Sequence, residues 1–394
     1  MTHIPAYEEG HTLKKHLLCT SAIIGCAMAA PATAQQWDLA WGGFMSQHVA
    51  YTDLSGTMSG TGVGQVDNDG IGFHSSSEII FTPSVTLDNG LTFGINIQME
   101  GENGGGGADG IDETYMSISG DTLGRIDIGS ENSAGYKSMV AAPEVTSMAI
   151  NSPSVSAFIP LSASTGGPLP GIFRGAMVSA YTEVGRNNDT QRITYYTPSF
   201  NGLTVGVSYA RNNGGNAVNN ANNNNAASVK DIFDIGVNYS QTFGTTSVNI
   251  GARYGTGDGQ LVNQGDLDTW GIGAQIGFGD FTVGAHYAEN DNGYGNGFGD
   301  QEGWSFGATY DAPGPWAFEA LTFQGESSGT GGVGTAAAPG AKEEYIAYRI
   351  GASRDLGPGV DWDIYAIWAE ADDKTTAATE IEGTVIGTAI NLSF

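Results

Sequence analysis

The chain has 394 residues, of which 14% are charged, and its 42 acidic against 14 basic residues give a net charge of −28. Soluble domains carry about 25% charged residues, so the composition argues against an ordinary cytosolic enzyme. Nucleic acid is excluded as a partner class, because phosphate binding needs a basic patch. Intrinsic disorder is excluded too, since 40% of the residues are hydrophobic and 10% are aromatic.

The N-terminus predicts an export signal. Two lysines precede an apolar run at residues 17–30, and small residues follow up to Ala34. This order is typical of a secretory signal over residues 1–34 that is cleaved after Ala34. Both cysteines lie within it, and Cys26 ends a loose lipobox, which leaves lipoprotein processing as an alternative. Residues 35–394 keep the net charge of −28, because the signal holds two lysines and two glutamates.

The rest of the chain predicts β-strands. In residues 91–100 every odd position is large and apolar, and every even position is polar or glycine, so each strand has one apolar face. Sixteen segments alternate in this way. They cover residues 37–51, 71–86, 91–100, 111–119, 125–131, 189–198, 203–211, 231–241, 247–255, 267–278, 281–289, 302–311, 316–326, 343–353, 361–371 and 381–394. A motif of an apolar residue, glycine, two variable residues and tyrosine recurs five times, with its glycines at Gly206, Gly236, Gly251, Gly284 and Gly307.

Short and long connections alternate between the predicted strands. The short ones are tight turns, whereas the long ones carry ten or more mostly polar residues. This arrangement predicts an all-β fold, a 16-stranded antiparallel transmembrane β-barrel that occupies residues 35–394 as one domain. Two soluble β-sandwiches remain an alternative, because periodicity alone does not distinguish them from a barrel. An outward arginine costs about 2–4 kcal/mol in lipid, so the strand phase is expected to put Arg125, Arg192, Arg253 and Arg349 inside.

The longest connection runs over residues 132–188, between the fifth and sixth predicted strands. It is too long for a structureless surface loop, so we expect it to carry function. Another connection, residues 104–112, fits the calcium-binding nonapeptide once. A calcium-binding β-roll needs stacked copies, so we expect no cofactor, with calcium on the acidic loops left open.

Three segments resemble the general-diffusion porins of Gram-negative outer membranes. They are Gly-Arg-Ile-Asp-Ile-Gly at 124–129, Arg-Ile-Thr-Tyr-Tyr-Thr-Pro-Ser-Phe-Asn-Gly at 192–202 and the terminal Ile-Asn-Leu-Ser-Phe at 390–394. The resemblance implies a homotrimer whose third outer loop folds into the lumen as a constriction. It also implies that Phe394 is recognised by the barrel-assembly machinery.

The same resemblance implies that acids of the inserted loop face a basic cluster on the opposite wall. The matching residues are Glu131 and Glu144 against Arg125, Arg192, Arg253 and Arg349. Glu131 and Glu144 are the only acids from position 131 to 172, so acids on the wall are the alternative source of an electric field across the constriction. They are Glu100, Glu113, Asp127, Asp234, Glu319 and Asp363. Each arginine could instead pair with one of these acids and only stiffen the wall.

We therefore expect a passive channel for small hydrophilic solutes and ions in the outer membrane of a Gram-negative bacterium, surrounded by membrane lipid and lipopolysaccharide. The net charge of −28 predicts a preference for cations. A substrate-specific channel is the first alternative, with Tyr115, Tyr196 and Tyr365 as inward aromatic residues. A calcium-binding surface protein or adhesin is the second.

We do not expect an enzyme. Beyond the signal the chain has three histidines, His48, His74 and His286, and each belongs to a different segment without a recognisable catalytic motif. His286 is predicted to face the lumen as a lining residue.

Overall fold

The computed structural model describes residues 36–101, 110–169, 174–214, 227–294, 299–328, 342–374 and 379–394. Within these ranges seventeen strand segments form one antiparallel sheet that closes on itself. The segments are β1 Trp41–Ser55, β2 Gly70–Phe81, β3 Ser84–Thr86, β4 Thr92–Glu100, β5 Thr114–Gly120, β6 Gly124–Glu131, β7 Thr190–Tyr196, β8 Leu203–Asn212, β9 Val229–Phe243, β10 Thr246–Gly259, β11 Asp266–Phe278, β12 Phe281–Asp291, β13 Gln301–Asp311, β14 Trp316–Ser327, β15 Glu343–Gly357, β16 Val360–Asp373 and β17 Thr379–Ser393.

The segments make sixteen barrel strands, because β2 and β3 are two parts of one strand and both pair with β4. The break lies at Pro83, which has no N–H to donate to the ladder. The sheet continues across it because the Pro83 carbonyl accepts from the Ile95 N–H at 2.9 Å. The predicted number of strands is confirmed, and the predicted strand at 71–86 is interrupted at one position.

The barrel closes between its first and last strands. β1 pairs with β17 over its length, and Gly43 and Phe394 exchange backbone hydrogen bonds of 3.1 Å. Phe394 therefore extends the pairing between β1 and β17, although its ring is 57% exposed.

Alternation gives the sheet an apolar outer face, as the sequence predicts. Ile71 and Phe73 on β2 are 71% and 76% exposed and point away from the interior. Aromatic rings mark the strand ends, where they suit the membrane interface. Trp41 begins β1, and Trp316 begins β14, where its ring centroid lies 5.8 Å from that of Trp362.

Some connections are shorter than the sequence predicts. The one between β10 and β11 covers residues 260–265, because the ladder continues up to the pair Asp258 and Asp266. Polar residues at the strand ends hide the true boundary, since backbone pairing continues where the apolar alternation has stopped.

The inner face is less polar than the sequence predicts. On β15 to β17 the inward residues Ala347, Ile367, Ala369 and Val385 are at most 1% exposed and belong to an apolar cluster. The other half of this cluster comes from the connection between β6 and β7, including Ile150. Both faces of these strands are apolar because that connection shields the inner one from water.

A series of carboxylates lies on the outer face, at the ends of the strands that carry the long connections. Neighbouring strands place these acids opposite one another in the ladder. The series, termed the acidic rim, consists of Glu289, Glu302, Glu326, Glu344, Glu370, Asp372 and Glu382. Lys342 pairs with Glu326, and Lys374 with Glu344, so much of the negative charge stays uncompensated.

The helical segments of the described residues all lie between β6 and β7. They are helix α1, Ala134–Ser138, and three short 3-10 turns, Ser154–Ala157, Ala163–Thr165 and Val184–Arg186. Within the described ranges no helix is both long enough and apolar enough to cross a membrane.

Candidate functional site

The described part of the connection between β6 and β7, residues 132–169 and 174–189, packs against the inner face of the sheet. A side chain at Gly72 of β2 would meet Phe158, and one at Gly325 of β14 would overlap the Met177 main chain. Helix α1 contacts β8, β9 and β10. Because these strands lie on different sides of a closed sheet, the segment that touches them all occupies the lumen. It is termed the inserted connection.

Helix α1 forms at the start of the inserted connection because its ends are capped locally. The Ser133 hydroxyl accepts from the Tyr136 N–H at 3.1 Å, and the Met139 N–H donates to the Tyr136 carbonyl at 3.2 Å. The Ser133 N–H donates to the Glu183 carboxylate at 3.0 Å. This last bond ties the beginning of the inserted connection to its end.

The wall beneath α1 is lined with glycines. A Cβ at Gly236, Gly251 or Gly273 would overlap a carbonyl oxygen of residues 134–140. Gly236 and Gly251 are the glycines of two copies of the repeated apolar-Gly-x-x-Tyr motif. In these two copies the glycine therefore has a structural reason that the sequence did not reveal: it lets the main chain of the inserted connection approach the wall directly.

Arg253 joins the wall to the inserted connection. Its guanidinium on β10 donates to the Asp234 carboxylate on β9 and to the Thr182 carbonyl. The side chains of Arg253 and Asp234 are at most 1% exposed. Because the ion pair is removed from water and neutral overall, its main effect is to hold the last part of the inserted connection in place.

Arg349 makes a second junction of this kind. It lies 2.8 Å from the Glu144 carboxylate of the inserted connection and donates to Glu319 of β14 at 3.0 Å. It also donates to the Met148 carbonyl. The side chains of Arg349 and Glu319 are fully buried. One guanidinium therefore binds two carboxylates and the Met148 carbonyl in a region without water contact.

Two other predicted residues lie at the base of the inserted connection. Arg192 donates to the Asn187 side-chain carbonyl at 2.7 Å and also to its main-chain carbonyl. Glu131 is buried and forms an ion pair of 2.7 Å with Lys137 of α1. Both contacts orient the points where the inserted connection leaves the sheet and returns to it.

Arg125 differs from the other predicted residues because its side chain is 40% exposed. It forms an ion pair of 2.8 Å with Asp127, which shares its face of β6, and donates to the Tyr115 hydroxyl at 3.3 Å. Arg125 therefore reaches the water of the lumen while remaining paired.

The structure thus separates the predicted set by exposure. Arg125 reaches lumen water, and the other five are buried in the contact between the wall and the inserted connection, namely Glu131, Glu144, Arg192, Arg253 and Arg349. Of the predicted wall acids, Asp127, Asp234 and Glu319 pair with these arginines, and Asp363 accepts from the Ser147 N–H at 2.8 Å. That the six residues form the constriction stays a prediction.

An acidic part of the wall was only partly foreseen. Glu78 of β2 and Glu100 of β4 are direct partners in the ladder. Glu100 was a predicted wall acid, and Glu78 was missed. The signal for Glu78 was present in the sequence, because Ile71, Phe73 and Ile79 point outward and so place even-numbered residues of that strand inside.

Two more carboxylates stand near this pair. Glu113 accepts from the Gln98 amide at 2.9 Å, and Asp189, which directly precedes β7, is 7% exposed. Burial raises the pKa of the Asp189 carboxyl to about 7, and Asp112 adds to the increase. Several carboxylates therefore share one region of the lumen wall.

The histidines form a separate feature. His48 Nδ1 lies 3.1 Å from the Tyr365 hydroxyl, and the ring centroids of His48 and His74 are 5.6 Å apart. His286 faces inward as predicted and is 3% exposed. Within the residues that the structure describes, no group of three or more histidines, cysteines or carboxylates is arranged to hold a metal ion.

Two predictions fall outside the described residues. The signal segment lies within residues 1–35, and most of the calcium nonapeptide lies within residues 102–109. The signal boundary and the bound calcium therefore stay predictions.

A family model described as Gram-negative porin matches residues 20–376. No curated protein sequence matches the chain. Among solved structures, OmpT of Vibrio cholerae, an outer membrane protein in its trimer form, is 11% identical with a TM-score of 0.59 and covers 91% of this chain and 99% of its own.

Two further solved structures share the fold. An anion-selective porin from Comamonas acidovorans is 17% identical with a TM-score of 0.56, and covers 91% of this chain and 100% of its own. A mutant of the Rh. blastica porin is 19% identical with a TM-score of 0.53 and the same coverage. The family match over most of the chain and the closed sixteen-stranded barrel agree. The chain belongs to the Gram-negative porin family, and it is accordingly an outer-membrane diffusion channel rather than an enzyme.

Proposed function

We propose that the channel passes small hydrophilic solutes and ions without specific binding and that it prefers cations. Sixteen strands enclose a lumen wide enough for an aqueous passage. The inserted connection fills part of this lumen, so the remaining opening would determine which solutes pass.

The observation that supports the cation preference is the position of acidic residues in this chain, whose net charge is −28. The acidic rim lies at the ends of the strands that bear the long connections, at one mouth of the barrel. A fixed negative potential at a channel mouth raises the local concentration of cations and lowers that of anions.

Fold similarity does not decide the sign of the selectivity. The Comamonas acidovorans structure with the same fold is named as anion-selective, and it is 17% identical to this chain. The sign must therefore follow from the charged residues of each chain, and in this chain acids outnumber bases three to one, 42 to 14.

The test is the reversal potential of the refolded protein in a planar lipid bilayer under a potassium chloride gradient. We expect the sign that corresponds to cation preference. A reversal potential of the opposite sign would contradict the proposal, and an absence of conductance would contradict the channel itself.

A substrate-specific channel gains no support from the aromatic residues on which that alternative depended. Tyr196 and Tyr365 are 7% and 2% exposed. Of the three predicted tyrosines, Tyr115 alone is partly accessible, and Arg125 and Lys137 cover it at 5.9 and 5.0 Å from its ring centroid. A single ring of this kind does not provide a stacking path for a sugar.

We also propose a homotrimer that is embedded in outer-membrane lipid and lipopolysaccharide. The trimer form of the Vibrio cholerae neighbour supports the stoichiometry. Recognition of Phe394 by the barrel-assembly machinery is compatible with its ring, which is 57% exposed at the end of the closing strand.

A further inference from the structure

We propose that Glu78 and Glu100, termed the wall pair, determine the ion selectivity of the lumen, and that the inserted connection faces them with positive charge. This polarity is opposite to the one expected from the family resemblance, in which the inserted loop carries the acids. The inference rests on the proposed cation channel and assigns its selectivity to particular residues.

The position of the wall pair supports this role. Glu78 lies near the middle of the barrel strand made by β2 and β3, which spans residues 70–86, and so stands deep in the lumen. It shares the inner face with His74, whose ring packs edge-on against Phe158 of the inserted connection. Glu100 lies directly opposite Glu78 and is exposed. Glu78 is therefore at mid-height of its strand, whereas Glu100 is the last residue of β4 and lies where that strand leads into a long connection.

The surroundings of the wall pair favour a cation. Two carboxylates placed directly opposite each other on one sheet face repel each other. Asp189, 7% exposed, adds a buried Oδ1 that has no hydrogen-bond partner among the described residues, and the same is true of Glu78 Oε1. Asp189 interacts electrostatically with Glu78 as well as with Asp112 and Glu113, so it lies beside the wall pair. A hydrated cation that enters the region would relieve the repulsion. An anion would add to it.

The inserted connection places Arg174 near the acidic wall, whereas its Lys137 is neutralised by an ion pair with Glu131. The Lys137 ammonium lies 5.0 Å from the Tyr115 ring centroid, and the Arg174 guanidinium stacks 3.9 Å from that of Tyr136. Burial disfavours the charged Arg174 guanidinium, but Tyr136 and Glu183, followed by Asp189 and Asp112, raise its pKa above the usual value. The side of the inserted connection that carries Arg174 is therefore turned toward the acidic wall.

The acids expected to provide the field cannot do so in this structure. Glu131 is fully buried against Lys137, and Glu144 is buried against Arg349. The wall arginines Arg253 and Arg349 are also buried and paired with carboxylates. The Glu131–Lys137 and Asp234–Arg253 pairs are neutral, and Arg349 offsets one of its two carboxylates, so these buried groups act on a passing ion less than the exposed and partly exposed charges do.

The experiment compares E78Q/E100Q with E370Q/E382Q in planar bilayers. Glu370 and Glu382 are also direct ladder partners, but they face outward in the acidic rim. Both double variants therefore replace both carboxyl groups of a cross-strand glutamate pair with amides. Measurements in about 1 M salt suppress the contribution of the rim, because the screening length there is about 3 Å.

We expect E78Q/E100Q to lower the cation-to-anion permeability ratio by about threefold at 0.1 M salt and by a smaller factor at 1 M, since two unit charges about 6 Å from an ion change its occupancy about tenfold before screening. E370Q/E382Q should leave the ratio unchanged in about 1 M salt. If the wild-type channel is cation-selective and E78Q/E100Q leaves the permeability ratio unchanged, the proposed role of the wall pair is wrong and the proposed function still holds. A wild-type channel that prefers anions overturns both.

A second variant covers the case in which E78Q/E100Q fails to refold. Arg174→Gln removes positive charge from the inserted connection and should raise the permeability ratio. An unchanged or lower ratio for this variant contradicts the proposed polarity. Single-channel conductance recorded for each variant shows whether the passage itself is preserved.

Discussion

Arg349 illustrates how single residues hold the inserted connection. Its side chain is 1% exposed and contacts Glu144, Glu319 and the Met148 carbonyl. A buried charge is costly by itself, and opposite charges offset that cost only when the geometry satisfies all partners. Since Arg349 is the partner of both carboxylates, removing it leaves two buried anions close together.

We therefore expect Arg349→Ala to lower the free energy of unfolding by about 3–5 kcal/mol, the range found when one member of a buried ion pair is removed. Urea unfolding of the lipid-reconstituted protein, followed by tryptophan fluorescence, measures this change. Arg354→Ala on the same strand is the control. Arg354 lies over the Trp316 ring at 5.5 Å, and its loss should cost about 1 kcal/mol or less. Equal losses for the two variants would show that the contacts of Arg349 are not special.

Among the elements, helix α1 and the residues directly after it contact the wall through the glycines beneath them. A Cβ at Gly273 would overlap the Val140 carbonyl oxygen, and one at Gly251 would overlap that of Ser138. Backbone atoms cannot rotate away as a flexible side chain can. Larger residues at these glycines must therefore move the inserted connection off the wall and toward the open part of the lumen.

The expected result for Gly251→Ala/Gly273→Ala is a lower single-channel conductance, because the displaced segment narrows the passage. Overpacking of this kind costs about 1–3 kcal/mol per site, which leaves room for the barrel to fold. Gly265→Ala is the matched control, since its Cβ would meet the nearest atom at an ordinary 3.4 Å. A conductance equal to that of the wild type in the double variant would mean that α1 does not border the passage.

The strands were predictable because their signal is local. Ile71, Phe73 and Ile79 define the phase of one strand without reference to the rest of the chain, and lipid outside requires that phase. The interior was not predictable in the same way. Arg349 and Met148 are 201 positions apart, and nothing in either segment encodes their contact. The apolar inner face around Ile367 likewise makes sense only once the inserted connection covers it.

On the scale of the whole molecule, the negative charge is divided between two places. The acidic rim faces outward at one end of the barrel, whereas Glu78 and Glu100 face inward, toward the lumen. Rim charges act on ions through open solvent. The wall pair acts inside a narrow passage with protein on all sides, where field lines are concentrated and salt screens less.

The two contributions should therefore separate with ionic strength. The screening length falls from about 10 Å at 0.1 M salt to about 3 Å at 1 M, so we expect the cation-to-anion permeability ratio of the wild type to decrease as salt rises at a fixed concentration ratio across the bilayer. E370Q/E382Q should lower the ratio at low salt and leave it unchanged at high salt, because the rim is then screened. E78Q/E100Q should lower the ratio at both. If the rim variant had the same effect at both salt concentrations, its charges would have to lie within a few ångströms of the ion path, which the outward direction of Glu370 and Glu382 contradicts.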